Sequence, residues 1–420
     1  MTAARSFIST ALWFIAAGII FSMPGLAYLA VIPMTVLAVG LLADPPEGIS
    51  VERELVKTNL RVGEELRVSV RLKVGRGLGF VVIRDALPEE FALVDGSNVR
   101  AFFKGPRELV VEYEYIIKPA KRGRYRIGRS EVMGYHVFGL KPSRWGVFGE
   151  ETYLSVLPRV SLPKRTRTPV TKSQIPIPVT SVSIRGVAST DFREIREYRA
   201  GDPVRFINWK ASARKGEVLV NEFEKEGKKT VLFIIDATGS KVGSSVENPL
   251  EYSIQLVSSL AYYFTKRNYN VGLYVVGHGK LILPATGSKQ LYILVKTLLE
   301  LEEVEVEKED FVRAVEGLKH VLIRYTPLVI YVSNLLPERL AEVMEGIRRL
   351  RPIYRDKRLP MLVFDVSTYS LLEREVSSLI LLEKRALRHD LLRAGVYSIL
   401  WDPTREDVTS VVTKTVRLIR

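Results

Sequence analysis

The 420-residue sequence contains no cysteine. Disulfides, thiolate nucleophiles and cysteine-ligated zinc or iron–sulfur centres are therefore excluded, and the balance leans towards a reducing compartment. Histidine is scarce as well. His136, His278, His320 and His389 are scattered, and none forms part of an HExxH helix. No GxSxG nucleophile elbow occurs. Gly272 and Gly277 have P-loop spacing, but His278 stands where that loop needs lysine. With these motifs missing, a hydrolase is the weakest reading and the chain is read as non-enzymatic.

Charge is missing from one end only. Residues 1–50 carry Arg5, Asp44 and Glu47, a net −1, which leaves +16 on the remaining 370 residues. Such an excess favours anionic lipid, nucleic acid or an acidic protein, besides serving solubility. Ser6–Met23 and Leu26–Leu42 are free of charge, and each approaches the ~20 residues a helix needs to cross a hydrocarbon core. Pro24-Gly25 between them is a turn signal. Residues 1–44 are thus predicted to form a transmembrane helical hairpin. A cleaved signal peptide is the competing reading, but it does not account for the second apolar span. Arg5 precedes the hairpin, Arg53, Lys57 and Arg61 follow it, and the connector has no basic residue. Positive-inside logic then puts both ends in the cytoplasm, with the chain in the cell membrane through two helices.

Residues 51–158 change period. Leu66–Leu72 and Val110–Ile116 alternate apolar and polar residues, with Gly63, Gly75, Gly96 and Gly123 as punctuation. Short alternating strands over this length predict an immunoglobulin-like β-sandwich. Gly75-Arg76-Gly77-Leu78-Gly79 has the look of a dinucleotide loop but lies between strands, and is read as a hairpin turn. Residues 159–190 hold Arg159, Lys164, Arg165, Arg167 and Lys172 among Pro163, Pro169, Pro176 and Pro178. They read as a basic, proline-stiffened connector.

From Asp191 onwards cations crowd around apolar anchors. Arg193, Arg196, Arg199, Arg205, Lys210, Arg214 and Lys215 surround Phe206, Ile207 and Trp209, with Gly201-Asp202-Pro203 as a turn. Three readings are open. Asp191, Glu194, Glu197 and Asp202 could pair with the arginines and hold one domain against its neighbour; the Arg and Trp mixture could bind a protein; or the interleaved aromatics could hold single-stranded nucleic acid. Trp209 beside Lys210 also allows a cation–π contact.

The rest of 191–420 alternates strands and helices. Thr230–Ile235, Val271–Val276, Leu328–Val332, Met361–Phe364 and Tyr397–Trp401 read as strands buried on both faces. Tyr252–Arg267, Leu291–Leu301, Pro337–Leu350 and a segment from about Arg405 read as helices. This is the pattern of a mainly parallel α/β sheet, whose ligands bind beyond the carboxyl ends of the strands.

Arg196-Glu197-Tyr198 … Gly201-Asp202 … Arg205 … Ile207-Asn208-Trp209-Lys210-Ala211-Ser212-Ala213-Arg214 resembles the signature of the domain of unknown function 58 family. Lys121–Gly128 resembles that family's RRG-Y-lG strand. Gly134–Leu140 resembles its DPFGL loop, without the aspartate. The resemblance implies a von Willebrand factor type A-like (Rossmann-like) domain downstream and a functional link to MoxR-type AAA+ ATPases. Asp236-Ala237-Thr238-Gly239-Ser240, at the end of the first strand, resembles the DxSxS metal-adhesion motif of type A domains. Thr286 stands as candidate for the second-loop threonine, and Asn334 occupies the place of the third-loop acid. Asp236, Thr238, Ser240, Thr286 and Asn334 are therefore the expected ligands of an oxygen-bound Mg²⁺; capping of the following turn by Asp236, Thr238 and Ser240 is the alternative. Arg196, Tyr198, Asp202, Arg205, Trp209, Lys210 and Arg214 are the expected partner-binding residues. The whole reads as a membrane-tethered adaptor working with a MoxR-type ATPase and touching membrane lipid. Nucleic-acid binding through the basic segment is the lesser alternative.

Overall fold

In the computed structural model the charge-free N-terminus is helical. The structure describes residues 2–163, 175, 177, 192–199, 202, 204–223, 229–238, 243–244, 246–304, 310–354, 359–371 and 374–419. It divides into two units, Met1–Leu157 and Pro158–Arg420. Of the predicted connector, Lys164, Arg165, Arg167 and Lys172 lie outside the described residues.

In the first unit, α1 (Thr2–Ile20), α2 (Pro24–Tyr28) and α3 (Val31–Leu42) follow the two apolar spans. Ala3–Ile20 and Pro24–Leu42 are long and apolar enough to cross a membrane. Pro33 falls in the first turn of α3, where its missing N–H costs nothing. The side chains are sorted by size rather than polarity. Leu12, Trp13, Ile19, Ile20, Ile32 and Leu42 point outwards, while Ala11, Ala17 and Ala30 are buried. A Cβ on Gly18 would sit 2.8 Å from the Ala27 backbone nitrogen, so only glycine permits this approach of the helices. Small residues inside and large apolar ones outside is the arrangement that suits a lipid solvent.

A β-rich domain follows. Its strands are β1 (Glu47–Leu55), β2 (Asn59–Arg61), β3 (Leu66–Arg76), β4 (Gly79–Asp85), β5 (Phe91–Gly96), β6 (Val99–Lys104), β7 (Leu109–Pro119), β8 (Gly123–Ile127), β9 (Ser130–His136), β10 (Arg144–Phe148) and β11 (Thr152–Leu157). They pair as β1-β3-β7-β5, β10-β9-β4-β6 and β2-β11-β8. The period-two alternation sends Val68, Val70, Leu72 and Val74 of β3, Val81 and Ile83 of β4, and Tyr115 and Ile117 of β7 into one core. Residues 75–79 join strands as expected but do not close a hairpin, because β3 and β4 lie in different sheets. They form a corner, where Gly77 has φ +95° and a Cβ would strike the Pro45 carbonyl.

This domain is clasped to the hairpin. The Phe138 and Leu140 backbone N–H groups donate to His136 Nδ1 at 3.2 and 3.3 Å. Nε2 therefore carries the ring proton and donates to the Gly40 carbonyl at 2.9 Å. Phe138 packs edge-on against Phe7, Lys141 pairs with Asp44 at 2.7 Å, and Arg144 pairs with Glu47. The segment resembling the DPFGL loop is thus the clasp itself.

The second unit opens with β12 (Phe192–Glu197), a 3₁₀ turn at Val204–Phe206, α4 (Trp209–Lys215) and β13 (Leu219–Phe223), which pairs antiparallel with β12. Then come β14 (Thr230–Asp236), α5 (Pro249–Lys266), β15 (Asn270–Val276), β16 (Lys280–Ala285), α6 (Ser288–Leu299), α7 (Phe311–Gly317), α8 (Lys319–Tyr325), β17 (Leu328–Ser333), α9 (Leu340–Leu350), β18 (Met361–Val366), α10 (Arg374–Arg393), β19 (Tyr397–Trp401) and α11 (Val408–Ile419). The sheet order is β16-β15-β14-β17-β18-β19, parallel except for β16. Val231, Phe233 and Ile235 of β14 face α5, α6 and α11, while Leu232 and Ile234 face α7, α8, α9 and α10. Apolar residues on both faces explain why these strands read as continuous runs.

The order reverses at β14, the first strand of this sheet, from which the chain grows outwards through β15 on one side and β17 on the other. That is the topological switch point, and the crevice beyond its carboxyl edge is where such a sheet presents functional groups.

Candidate functional site

Asp236 ends β14 at the switch point, beside Ser333 of β17, which in turn lies beside Asp365 of β18. The Asp236 side chain is buried. Its Oδ1 accepts from the Thr238 backbone N–H at 3.0 Å and from the Thr238 hydroxyl at 2.5 Å. Its Oδ2 accepts from Tyr331 Oη at 3.0 Å, from Ser333 Oγ at 2.8 Å and from Arg339 Nη1 at 2.8 Å. Burial drives the Tyr331 phenol far above its ordinary range, with the Asp236 charge acting the same way, so Tyr331 serves only as a neutral donor.

Arg339, in the short 3₁₀ turn before α9, organises the rest. Its Nη1 also reaches Thr238 Oγ1 at 2.8 Å. Its Nε and Nη2 reach the two oxygens of Glu342 at 3.2 and 3.3 Å. Glu342 Oε1 in turn accepts the Phe311 backbone N–H at 2.6 Å and so ties the N-terminus of α7 to the cluster.

A second cation stands two strands away, at β18. Lys384 of α10 is fully buried and donates to Asp365 Oδ1 at 2.5 Å and to Asn334 Oδ1 at 3.1 Å. Its Nζ lies 4.9 Å from the centre of the Tyr369 ring. Asn334 Nδ2 reaches the Tyr369 hydroxyl at 3.2 Å, and the Leu335 N–H donates to Asp365 at 3.0 Å. Burial raises the Asp365 carboxyl and lowers the Lys384 amine, each offset by the partner's charge.

The expected metal ligands are thus partly dispersed. Asp236 and Thr238 meet, and Asn334 belongs to the neighbouring Lys384 cluster. Ser240 lies outside the described residues. Thr286 is at the opposite end of the sheet. β16 runs antiparallel, so Lys280 pairs with Val275 near the carboxyl edge and Ala285 pairs with Val271 near the amino edge. The loop after β15 at the carboxyl edge is instead the tight turn Gly277-His278-Gly279, where His278 Nε2 contacts the Glu302 carbonyl at 3.0 Å.

The expected partner-binding residues divide into scaffold and surface. Arg196 grips Asp202 with two parallel bonds of 2.8 Å, and the Arg199 N–H adds a third at 2.9 Å. Asn208 caps α4 by accepting the Ala211 N–H at 3.0 Å, and its amide reaches Asn221 on β13 at 2.8 Å. The Ser212 hydroxyl accepts the Leu219 N–H at 2.8 Å. These residues of the motif build the local fold. What they leave outside is apolar and cationic. Trp209 is 66% exposed and Val204 64%, with Ile195, Tyr198 and Val218 also exposed. Arg199, Arg205, Lys210 and Arg214 are exposed around them. The cation–π contact found in this segment is Arg205 over Phe206, at 4.7 Å.

The Arg196 clamp has a titration signature. Its bonds, followed by the Arg199 N–H, hold the Asp202 carboxyl at about 2, below its ordinary 3.8. A lowered folded pKa gives stabilisation that is present above the unfolded pKa and lost as pH falls through the folded one. Tightening of the β12–β13 segment should therefore persist at pH 4 and fade towards pH 2. Carboxyl ¹³C shifts are expected to show Asp202 titrating near 2, and moving up towards 3.8 once Arg196→Ala removes the clamp, with the Arg199 N–H still holding it below that value.

Comparisons with known proteins bear on this unit. A stretch of 263 residues is 26% identical to "Uncharacterized protein YeaD" of Bacillus subtilis (strain 168), covering 59% of this chain and 61% of that protein. The match thus spans under two thirds of its curated relative. Among solved structures, the CARDB domain of the PF1109 protein from Pyrococcus furiosus, in complex with di-metal ions, is 17% identical. It covers 27% of this chain and 96% of that one, with a TM-score of 0.17. A family two carbohydrate esterase from Cellvibrio japonicus is 10% identical over 88% of this chain and 98% of its own, with a TM-score of 0.23. Residues 194–366, from β12 through β18 and including Asp236, Arg339 and Asp365, match the model of the family described as "Protein of unknown function DUF58".

Proposed function

We propose that the chain is a membrane-anchored, non-catalytic docking protein whose C-terminal unit binds a protein partner and works with a MoxR-type AAA+ ATPase. The observation that carries this reading is the exposed face of the β12–α4–β13 segment. Trp209 and Val204 stand out into solvent among Arg199, Arg205, Lys210 and Arg214. Exposed tryptophan and arginine are the residue types that dominate protein-binding energetics. The cations fit a partner whose apolar cleft is rimmed by carboxylates.

The remaining parts are consistent with a tether and a docking domain. The hairpin turns its large apolar residues outwards and keeps its small ones inside, which supports spanning. Basic residues flank it only on its outer ends, which supports a cytoplasmic position for the domains that follow. The paired antiparallel sheets around one core support an immunoglobulin-like β domain. The order β16-β15-β14-β17-β18-β19, with helices on both faces, supports a type A-like second unit.

The test is recovery of the full chain from native membranes in mild detergent, with its companions identified by mass spectrometry. An AAA+ ATPase is expected with the unaltered chain. The Trp209→Ala, Lys210→Glu double variant should lower its recovery about tenfold or more without moving the thermal transition, because both side chains are exposed. Repeated absence of any AAA+ ATPase would refute the reading. A reporter fused at the C-terminus that is active only outside the cell would refute the topology.

A further inference from the structure

The type A resemblance carries the expectation of a divalent cation at Asp236, and the donor set can be tested against it. A carboxylate offers about four lone-pair sites. Asp236 already meets five donors: two from Thr238 and one each from Tyr331, Ser333 and Arg339. The Thr238 hydroxyl gives its proton to Asp236 and accepts from Arg339. The Asn334 oxygen accepts from Lys384, and Thr286 is at the far edge of the sheet. A hard cation needs several oxygens with lone pairs turned towards one point, and the described residues do not present them.

We infer that Arg339 is the resident cation of the site: its guanidinium, bracketed by Asp236, Thr238 and Glu342, holds the position from which a divalent metal would otherwise neutralise Asp236. The charge arithmetic supports this. The Arg339 side chain is only 13% exposed, and two carboxylates close on it from opposite sides. Lys384 repeats the device two strands away, neutralising Asp365 and occupying Asn334. A basic side chain from a segment connecting two strands thus fills each acidic strand end, β14 by Arg339 and β18 by Lys384. Without the guanidinium, the Thr238 and Ser333 hydroxyls are free to turn their protons away from Asp236, and with the carboxylates of Asp236 and Glu342 they would form an all-oxygen set of the kind that Mg²⁺ and Mn²⁺ accept.

The experiment is a Mn²⁺ titration of the full chain in detergent, with free Mn²⁺ read by electron paramagnetic resonance and thermal transitions followed with and without Mg²⁺. The unaltered chain is expected to bind no stoichiometric Mn²⁺ up to about 1 mM, the weak end of protein affinities for such ions. Arg339→Ala should gain one equivalent, lost again in Arg339→Ala, Asp236→Asn, and its lowered thermal transition should rise when Mg²⁺ is added. If Arg339→Ala does not fold, Arg339→Gln, which keeps more of the side-chain volume, is read in its place. Stoichiometric Mn²⁺ on the unaltered chain that disappears in Asp236→Asn would overturn the inference. So would a folded Arg339→Ala or Arg339→Gln that gains no Mn²⁺.

Discussion

Replacing Lys384 with methionine is expected to cost the second unit about 3–5 kcal/mol, the usual penalty for stranding one partner of a buried ion pair. Asp365 keeps the Leu335 N–H but loses its counter-charge in a site where Lys384 is fully buried. The expected sign with pH is definite. Burial already raises the Asp365 carboxyl, and Lys384 is what opposes the rise. Without Lys384 the folded-state pKa climbs further. A raised folded pKa gives stabilisation that is present below the unfolded pKa and lost as pH rises through the folded one. The deficit of Lys384→Met should therefore shrink on acidification from pH 7 and be largest at neutral and alkaline pH. Replacing both partners, Lys384→Met with Asp365→Leu, should recover most of the loss, because an apolar pair of similar volume is no worse than a buried ion pair. Denaturant melts followed through buried Trp401, with hydrogen exchange on β18 to place the change, read all three variants. A pH-independent deficit would exclude this account.

In the β-rich domain, Arg53→Ala is expected to cost about 3 kcal/mol or more for the same reason. Arg53 Nη2 donates to the fully buried Asp85 at 2.7 Å. Asp85 also accepts from Tyr115 Oη at 2.9 Å and from Ser130 Oγ. These hydroxyls moderate the loss but carry no charge. The arginine's own Nε and Nη1 are buried without a partner among the described residues, so part of its desolvation goes uncompensated and Arg53→Met should be milder than Arg53→Ala. A double-mutant cycle with Tyr115→Phe is expected to show coupling, since both side chains share one carboxylate. By contrast, Arg71–Glu112 at 2.8 Å on the outer face of the same sheet has both side chains more than half exposed. Removing it should change stability by no more than about 1 kcal/mol. Thermal unfolding of the full chain in detergent, with hydrogen exchange on β1 and β4, distinguishes the two.

The strands of the second unit were legible because burial on both faces leaves an uninterrupted apolar record; Thr230–Ile235 is β14 to within a residue. β16 was not. Lys280–Ala285 is a partly exposed edge strand containing a proline, and it has neither alternation nor a full apolar run. Missing it put Thr286 at the wrong end of the sheet. Asp236 could be found because an acid terminates an apolar strand. Arg339 could not, because it looks like an ordinary surface charge near the start of a helix and meets Asp236 across 103 residues of chain. Lys384 did leave a trace: Ser377, Lys384, Leu387 and Leu391 are buried at helical spacing, a lysine standing on an apolar stripe. The signature motif misled in another way. Its most regular residues, Arg196, Asp202, Asn208 and Ser212, are occupied in holding the β12–α4–β13 segment together. Its outward residues, such as Trp209, are the ones left exposed.

The clasp at His136 has a mechanical consequence. A ring that accepts two backbone N–H groups on one side and grips the last turn of α3 on the other leaves no swivel between hairpin and β-sheets. Leu140 seats directly on Gly40, where even a Cβ would collide with it. The hairpin therefore joins the β-rich domain as a footing rather than a leash.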